Sequence, residues 1–121
     1  METKKTLGDQ GEEMAAAHLR KKGYDIKATN WYYKHKEIDI IAAKDHQLVI
    51  VEVKTRTSDY FEMPNEMIPR KKQKFLIHAA SAYIEKFDID METRFDAVFV
   101  IFKNGQTSLQ HIEGAFEPHL L

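Results

Sequence analysis

The chain of 121 residues contains no cysteine, which excludes disulfides and thiolate metal sites and fits a reducing compartment. There is no Gly-rich phosphate loop and no nucleophilic serine motif, so nucleotide-cradling and acyl-transfer chemistry have nothing to rest on. No apolar run approaches the roughly 20 residues that a bilayer crossing requires, and the polar N-terminal stretch lacks a secretory apolar segment. The expectation is a cytoplasmic protein with no membrane partner. An excess of positive charge is missing too: the formal net charge is -1 and the pI about 6.6, so any nucleic-acid recognition must rest on local charge. Six histidines, at positions 18, 35, 46, 78, 111 and 119, show no compact ligand spacing, which removes a zinc site.

What is present is ordinary for a soluble protein, 43% hydrophobic and 31% charged residues, enough for one domain over residues 1–121 with a modest core. The residues of greatest interest lie between Lys36 and Arg56. Asp39 to Ala43 and Leu48 to Lys54 are two β-type apolar runs, and Lys44-Asp45-His46-Gln47 between them reads as a four-residue hairpin turn. That turn sets Ala43 against Leu48, Ile41 against Ile50, Asp39 against Glu52 and Glu37 against Lys54, all on one face, because strand side chains alternate with a period of two.

Two carboxylates directly across an antiparallel pair repel, so Asp39 and Glu52 call for compensation. A bound cation would supply it, with the Lys54 ammonium alongside; alternatively Lys54 neutralises both acids in a solvated cluster at a sheet edge.

Upstream, Thr6-Leu7-Gly8-Asp9 has the form of a capping box and Gly23 that of a helix stop, giving a first helix from about Leu7 to Lys22. Glu12 shares its apolar stripe with Ala15, Ala16 and Leu19, a costly position for a carboxylate unless something pairs with it. Its other reading is a first-turn acid favoured by the helix dipole. Tyr24 to Ala28 alternates as a strand with Tyr24, Ile26 and Ala28 on one face. The following Asn30-Trp31-Tyr32-Tyr33-Lys34-His35-Lys36 reads as a loop whose rings could stack bases while its lysines hold phosphates, or whose rings simply cap the core.

Thr57 to Ile68 is long for a connector and could close over a substrate, or join two copies in a homodimer through Tyr60, Phe61 and Met63. Pro69 suits the first turn of a second helix reaching about Phe87, with Leu76, Ala79, Ala80, Tyr83 and Phe87 as its inner stripe. Arg70, Lys71, Lys72 and Lys74 crowd its start with the charge that the helix dipole disfavours there by roughly 0.3–1 kcal/mol each. A phosphate backbone would relieve that, as would plain exposure to water. Arg94 to Phe102 reads as a buried central strand reached by a right-handed crossover through the second helix. Asn104-Gly105 signals a turn into a last strand near Thr107 to Ile112, with a loosely held tail from Gly114. Asp96, inside the apolar run, needs a partner such as Arg94 or Arg56.

An acid, a dozen residues, then Glu-x-Lys resembles the PD-(D/E)xK nuclease superfamily, with Asp39 at its first acidic position and Glu52 and Lys54 at its (D/E)xK. The match extends to Gly11-Glu12, Lys22-Gly23-Tyr24, Asn30, Glu37-Ile38-Asp39-Ile40-Ile41-Ala42, Val51 to Arg56 and Arg94-Phe95-Asp96, which together resemble the YraN-type family of small bacterial proteins, itself similar to archaeal Holliday-junction resolvases. The resemblance covers roughly Leu7 to Ile112. Lys36 stands where that family usually has Gly, and Met63-Pro64-Asn65 where relatives often carry Gly.

The resemblance implies an α/β restriction-endonuclease-like core, a mixed sheet of about five strands flanked by two helices in the order α-β-β-β-α-β-β. It implies Mg²⁺ or Mn²⁺ held by Asp39, Glu52 and the Val53 carbonyl, with Lys54 assisting the attacking water and Glu12 in support. Gln73 or Lys74 would touch the scissile phosphate, and Arg56, Arg70, Lys71 and Lys36 would help to bind nucleic acid. The expected activity is metal-dependent hydrolysis of DNA, branched or partly single-stranded; the alternative is a non-catalytic nucleic-acid-binding or scaffold protein on the same fold.

Overall fold

The computed structural model describes residues 5–57 and 68–118. Helix α1 (Leu7–Lys21) is followed by strands β1 (Asp25–Tyr33), β2 (Lys36–Lys44) and β3 (Gln47–Arg56), then helix α2 (Arg70–Phe87) and strands β4 (Glu92–Lys103) and β5 (Gln106–Phe116). The five strands form one sheet in the order β1-β2-β3-β4-β5, antiparallel except for the parallel pair β3–β4. This is the expected α/β mixed sheet flanked by two helices.

Local chemistry accounts for the element ends. The Thr6 hydroxyl accepts from the Asp9 N–H while the Asp9 carboxylate accepts from the Thr6 N–H, the reciprocal cap that starts α1. Gly23, at φ +93°, stops it, with the Gly23 and Tyr24 N–H groups returning to the Arg20 and Leu19 carbonyls. The β2–β3 turn is tighter than expected. Lys44 still pairs with Gln47, so only Asp45 and His46 turn, both at positive φ of 50° and 62°, the backbone that matches strand twist in two-residue hairpins.

Each face of the sheet carries one helix. Ala15, Ala16 and Leu19 of α1 pack with Tyr24, Ile40, Ala42, Val49, Val51, Val98 and Val100. Leu76, Ala79, Ala80 and Tyr83 of α2 pack with Ile38, Ile41, Leu48, Ile50, Phe95, Ala97, Phe99 and Ile101 on the other face. Phe87, expected in the inner stripe of α2, is 49% exposed, because the helix is ending there at the left-handed Asp88.

Three further expectations are corrected. The aromatic segment after Ala28 is strand, not loop: β1 runs to Tyr33, and only Lys34 and His35 turn. A bulge between Ile26 and Ala28 sends Ala28 to the α2 face while Ile26 stays on the α1 face, so Tyr24, Ile26 and Ala28 do not share a side. At the other end β5 continues to Phe116. The Gly114 N–H donates to Asp96 and the Phe116 ring stacks on Phe95 with centroids 4.7 Å apart, which holds the stretch expected to be loose. The long segment with Tyr60, Phe61 and Met63, and its homodimer reading, lies outside the described residues.

Candidate metal site

The site forms where the sheet splits. Pairing of β2 with β3 ends at Ile40 and Val51, whereas β1–β2 pairing continues to Tyr33 and Lys36 and β3–β4 pairing to Arg56 and Ile101. The cause is visible in β2 itself. Ile38 and Ile40, two residues apart, lie on opposite faces of the sheet, so the strand turns over at Asp39. Asn30, opposite it on β1, takes a left-handed φ of 49° at the same level.

Asp39 therefore does not continue the Ile41–Ala43 face as uninterrupted alternation requires. Its Oδ2 accepts the Val53 N–H at 2.8 Å, the donor that an unbroken ladder would direct to the β2 backbone. The carboxyl sits in the fork, tied to β3.

Glu12 reaches the fork from α1. Gly11 before it is buried, and a Cβ there would run into Thr55 Oγ1 of β3, so the missing side chain lets the helix lie against the strand end. Glu12 Oε2 accepts from Asn30 Nδ2 at 2.9 Å and Glu37 Oε1 accepts from the same nitrogen at 3.2 Å. Carboxylate oxygens of Glu12, Glu37 and Asp39 all lie within 4.8 Å of one another. An open cavity of about 440 Å³ between α1 and the β1–β2 hairpin carries Glu12, Asn30 and Asp39 in its wall.

Glu52 approaches Asp39 from the other flank. It is 4% exposed, and its Oε2 lies 3.5 Å from Lys54 Nζ and 3.7 Å from Lys72 Nζ. Burial, followed by repulsion from Glu52 and a hydrogen bond shared with it, pushes the Asp39 carboxyl up to about 8, against the opposing Val53 N–H; the Glu12 charge adds to the rise. A buried carboxyl crowded by like charge is one whose charged form a cation would stabilise.

All the donors here are carboxylate oxygens, the ligands preferred by hard divalent cations, whose oxygen bonds of about 2.0–2.6 Å span ligand separations of this size. The residues fit such an ion. Asp39 lies beside Glu12 and Glu52, Lys54 lies on Glu52, and Val53 touches Asp39 through its N–H.

The nucleic-acid candidates divide. Lys36 lies on the hairpin arm, its Nζ 5.8 Å from the Phe75 centroid. Arg56 Nη1 is turned to the Thr55 carbonyl. Arg70, Lys71 and Lys74 are exposed at the start of α2. Gln73 is tied to the Ile68 carbonyl at 2.8 Å, and it is Lys72 that reaches Glu52. The signal for Lys72 is in the sequence: it stands four residues before Leu76 and seven before Ala79, the sheet-facing stripe of α2 extended one turn back. Asn30 was visible only as a motif residue and Glu37 only as the residue expected opposite Lys54, since their convergence on Glu12 depends on the turn-over at Asp39.

Residues 11–100 match the profile of a family described as "Uncharacterised protein family UPF0102". The chain belongs to the UPF0102 family. Among UPF0102 proteins, one from Bacteroides thetaiotaomicron is 46% identical over 114 residues, covering 94% of each chain. One from Flavobacterium johnsoniae is 45% identical over 91% of this chain and 93% of its own, and one from Porphyromonas gingivalis is 40% identical over 94% and 85%. UPF0102 membership agrees with the YraN-type resemblance of the motifs. No helix among the described residues is long and apolar enough to cross a membrane.

Proposed function

We propose that this UPF0102 protein is a metal-dependent phosphodiester hydrolase acting on DNA in the cytoplasm, with Mg²⁺ or Mn²⁺ held at Asp39 by Glu12, Glu37 and Glu52. The observation that carries the reading is Asp39 itself, a carboxyl in a forked sheet with acids on both flanks. A bound divalent ion supplies Lewis-acid charge neutralisation and an acidified water. Asp39 must give up its proton to take its place as a ligand. Val53 N–H and Asn30 Nδ2 fix Asp39, Glu12 and Glu37 in position, so little reorganisation is left for the moment of reaction.

Lys54 and Lys72, both on one Glu52 oxygen, put two ammonium groups beside the place where negative charge develops on a phosphate. Lys54 orients the attacking water or stabilises that charge, and Lys72 takes the phosphate-contacting role that the resemblance assigned to Gln73 or Lys74.

The test is Mg²⁺-dependent cleavage of labelled four-way, flap and single-stranded DNA by wild type and by Asp39→Ala, Glu52→Ala and Lys54→Ala. We expect metal-dependent cleavage lowered at least about 100-fold in each variant, the scale on which a single stabilising group acts. Cleavage undiminished in all three would overturn the assignment. No cleavage together with salt-sensitive, metal-indifferent binding would favour the non-catalytic binder.

A further inference from the structure

Beyond the fork, residues 31–38 of the β1–β2 hairpin form an arm that leans on α2 rather than on β3. Trp31 meets Tyr83 edge to face with centroids 5.2 Å apart, and further out Tyr33 meets Phe75 at 6.1 Å. The two contacts differ in their surroundings. Tyr83 is buried, whereas Tyr33 and Phe75 are half-exposed and ringed by ammonium groups. Lys34 Nζ is 5.3 Å from the Tyr33 centroid, and Lys36 and Lys72 Nζ are 5.8 and 5.4 Å from that of Phe75. Among the described residues, Lys34 and Lys36 have no carboxylate partner.

Lys72 joins this cluster to the acid site, since the same ammonium lies 3.7 Å from Glu52 Oε2. The Phe75 ring centroid and Glu52 Oε2 are thus no more than about 9 Å apart, a separation that a few nucleotides of one strand span.

We infer that Tyr33 and Phe75, with Lys34, Lys36 and Lys72 around them, form a seat for an unpaired nucleotide next to the acid site, making single-stranded nucleic acid the preferred ligand. The chemistry favours a free base over a duplex. A ring accepts the flat face of a base, which a duplex hides within its stack and a single strand presents. Ammonium groups lodged over the rings in the free protein move to the flanking phosphates when a base takes their place. The nearness of a scissile bond rests on the hydrolase reading above; the binding preference does not.

The experiment is fluorescence anisotropy of labelled oligo-dT, oligo-rU and a duplex of equal length at low salt in EDTA, with wild type, Tyr33→Leu, Phe75→Leu and Lys34→Ala/Lys36→Ala, each checked for folding by thermal melt. Wild type should bind a single strand more tightly than the duplex, and the dT and rU arms tell which sugar it takes. Tyr33→Leu and Phe75→Leu should weaken single-strand binding about 5- to 100-fold and leave duplex binding within about twofold. The double lysine variant should weaken both and flatten the salt dependence.

Tyr33→Trp supplies a second reading that does not depend on Phe75→Leu folding, because its indole emission should be quenched by oligo-dT. Undetectable single-strand binding, unchanged single-strand affinity in a folded Tyr33→Leu, or equal losses for single strand and duplex would each overturn the seat. Seat behaviour without any cleavage would defeat the hydrolase reading alone.

Discussion

At Asp39, one carboxyl carries opposing demands. Burial and the neighbouring Glu52 favour its protonated form, and the Val53 N–H favours its charge. Asp39→Asn keeps the shape and removes the conflict. Without metal, the variant should melt higher than wild type at pH 8. In wild type alone Mg²⁺ should raise the melting temperature, because an ion that binds only the folded state stabilises it in proportion to its occupancy. Equal Mg²⁺ shifts in both proteins, measured by calorimetry, would place the ion elsewhere.

Lys72 poses a separate question. It lies 3.7 Å from the buried Glu52, and Lys54 at 3.5 Å stays on the same oxygen when Lys72 is replaced, so no uncompensated charge is left and Lys72→Met, which keeps the stem over Phe75, should cost no more than about 1 kcal/mol. If the ammonium faces developing charge, the same variant should lower cleavage about 10- to 100-fold in a single-turnover assay.

At the scale of elements, the contact of α1 with β3 turns on the absence of a side chain at Gly11. Gly11→Ala gains about 1 kcal/mol of helix propensity, yet its methyl group meets Thr55 Oγ1, with Thr55 Cβ at 3.3 Å behind it. We expect a net loss of about 1–3 kcal/mol in denaturant unfolding, as for other overpacked contacts. Much of that should return in Gly11→Ala/Thr55→Ala, the positive coupling expected of residues that touch.

The hairpin from Ile40 to Val51 was legible because its alternation is uninterrupted and its turn polar; so were the cap of α1 and the crossover through α2 to a buried β4. The turn-over at Asp39 was not. A period-two reading assumes that every residue steps to the other face, and the break comes from backbone geometry at Asn30 and Asp39 that neither residue type imposes. That one irregularity moved Asp39 off the expected face and brought Glu37 and Asn30 to Glu12. The end of β5 was hidden for a related reason: Gly114, at φ +60°, reads as a stop, and only the buried Asp96 that receives its N–H makes it part of the strand.

Across the whole molecule, stability should follow two carboxyls shifted in opposite directions. Asp96, 1% exposed, accepts from Arg94 Nε at 2.9 Å and from the Gly114 N–H at 3.0 Å, and meets His111 Nε2 at 2.8 Å. Arg94 in turn reaches Gln47 and the Tyr24 hydroxyl, so a single acid links the α1–β1 connection, β3, β4 and β5. Burial works against its charge, but His111, Arg94 and the Gly114 N–H together hold it below the ordinary 3.8. A depressed acid contributes stability above its unfolded pKa that is lost as pH falls through the folded one. Asp39 has the reverse sense, raised from 3.8 to about 8, so the folded chain keeps a proton that the unfolded chain has released, and stability falls as pH rises between those values. The metal-free protein should therefore be most stable in the mildly acidic range, declining toward pH 8 and again in strong acid. Mg²⁺ should remove the decline toward pH 8, because the ion replaces the proton at Asp39, and leave the acid limb unchanged. Asp96→Asn should cost about 3 kcal/mol by removing the buried counter-charge of Arg94, which then keeps only the exposed Glu113 carboxylate, and should flatten the acid limb alone. Melting curves from pH 3 to 9 with and without Mg²⁺ check both limbs. A metal-free protein as stable at pH 8 as at pH 5 would show that the Asp39 carboxyl does not hold its proton in the folded chain.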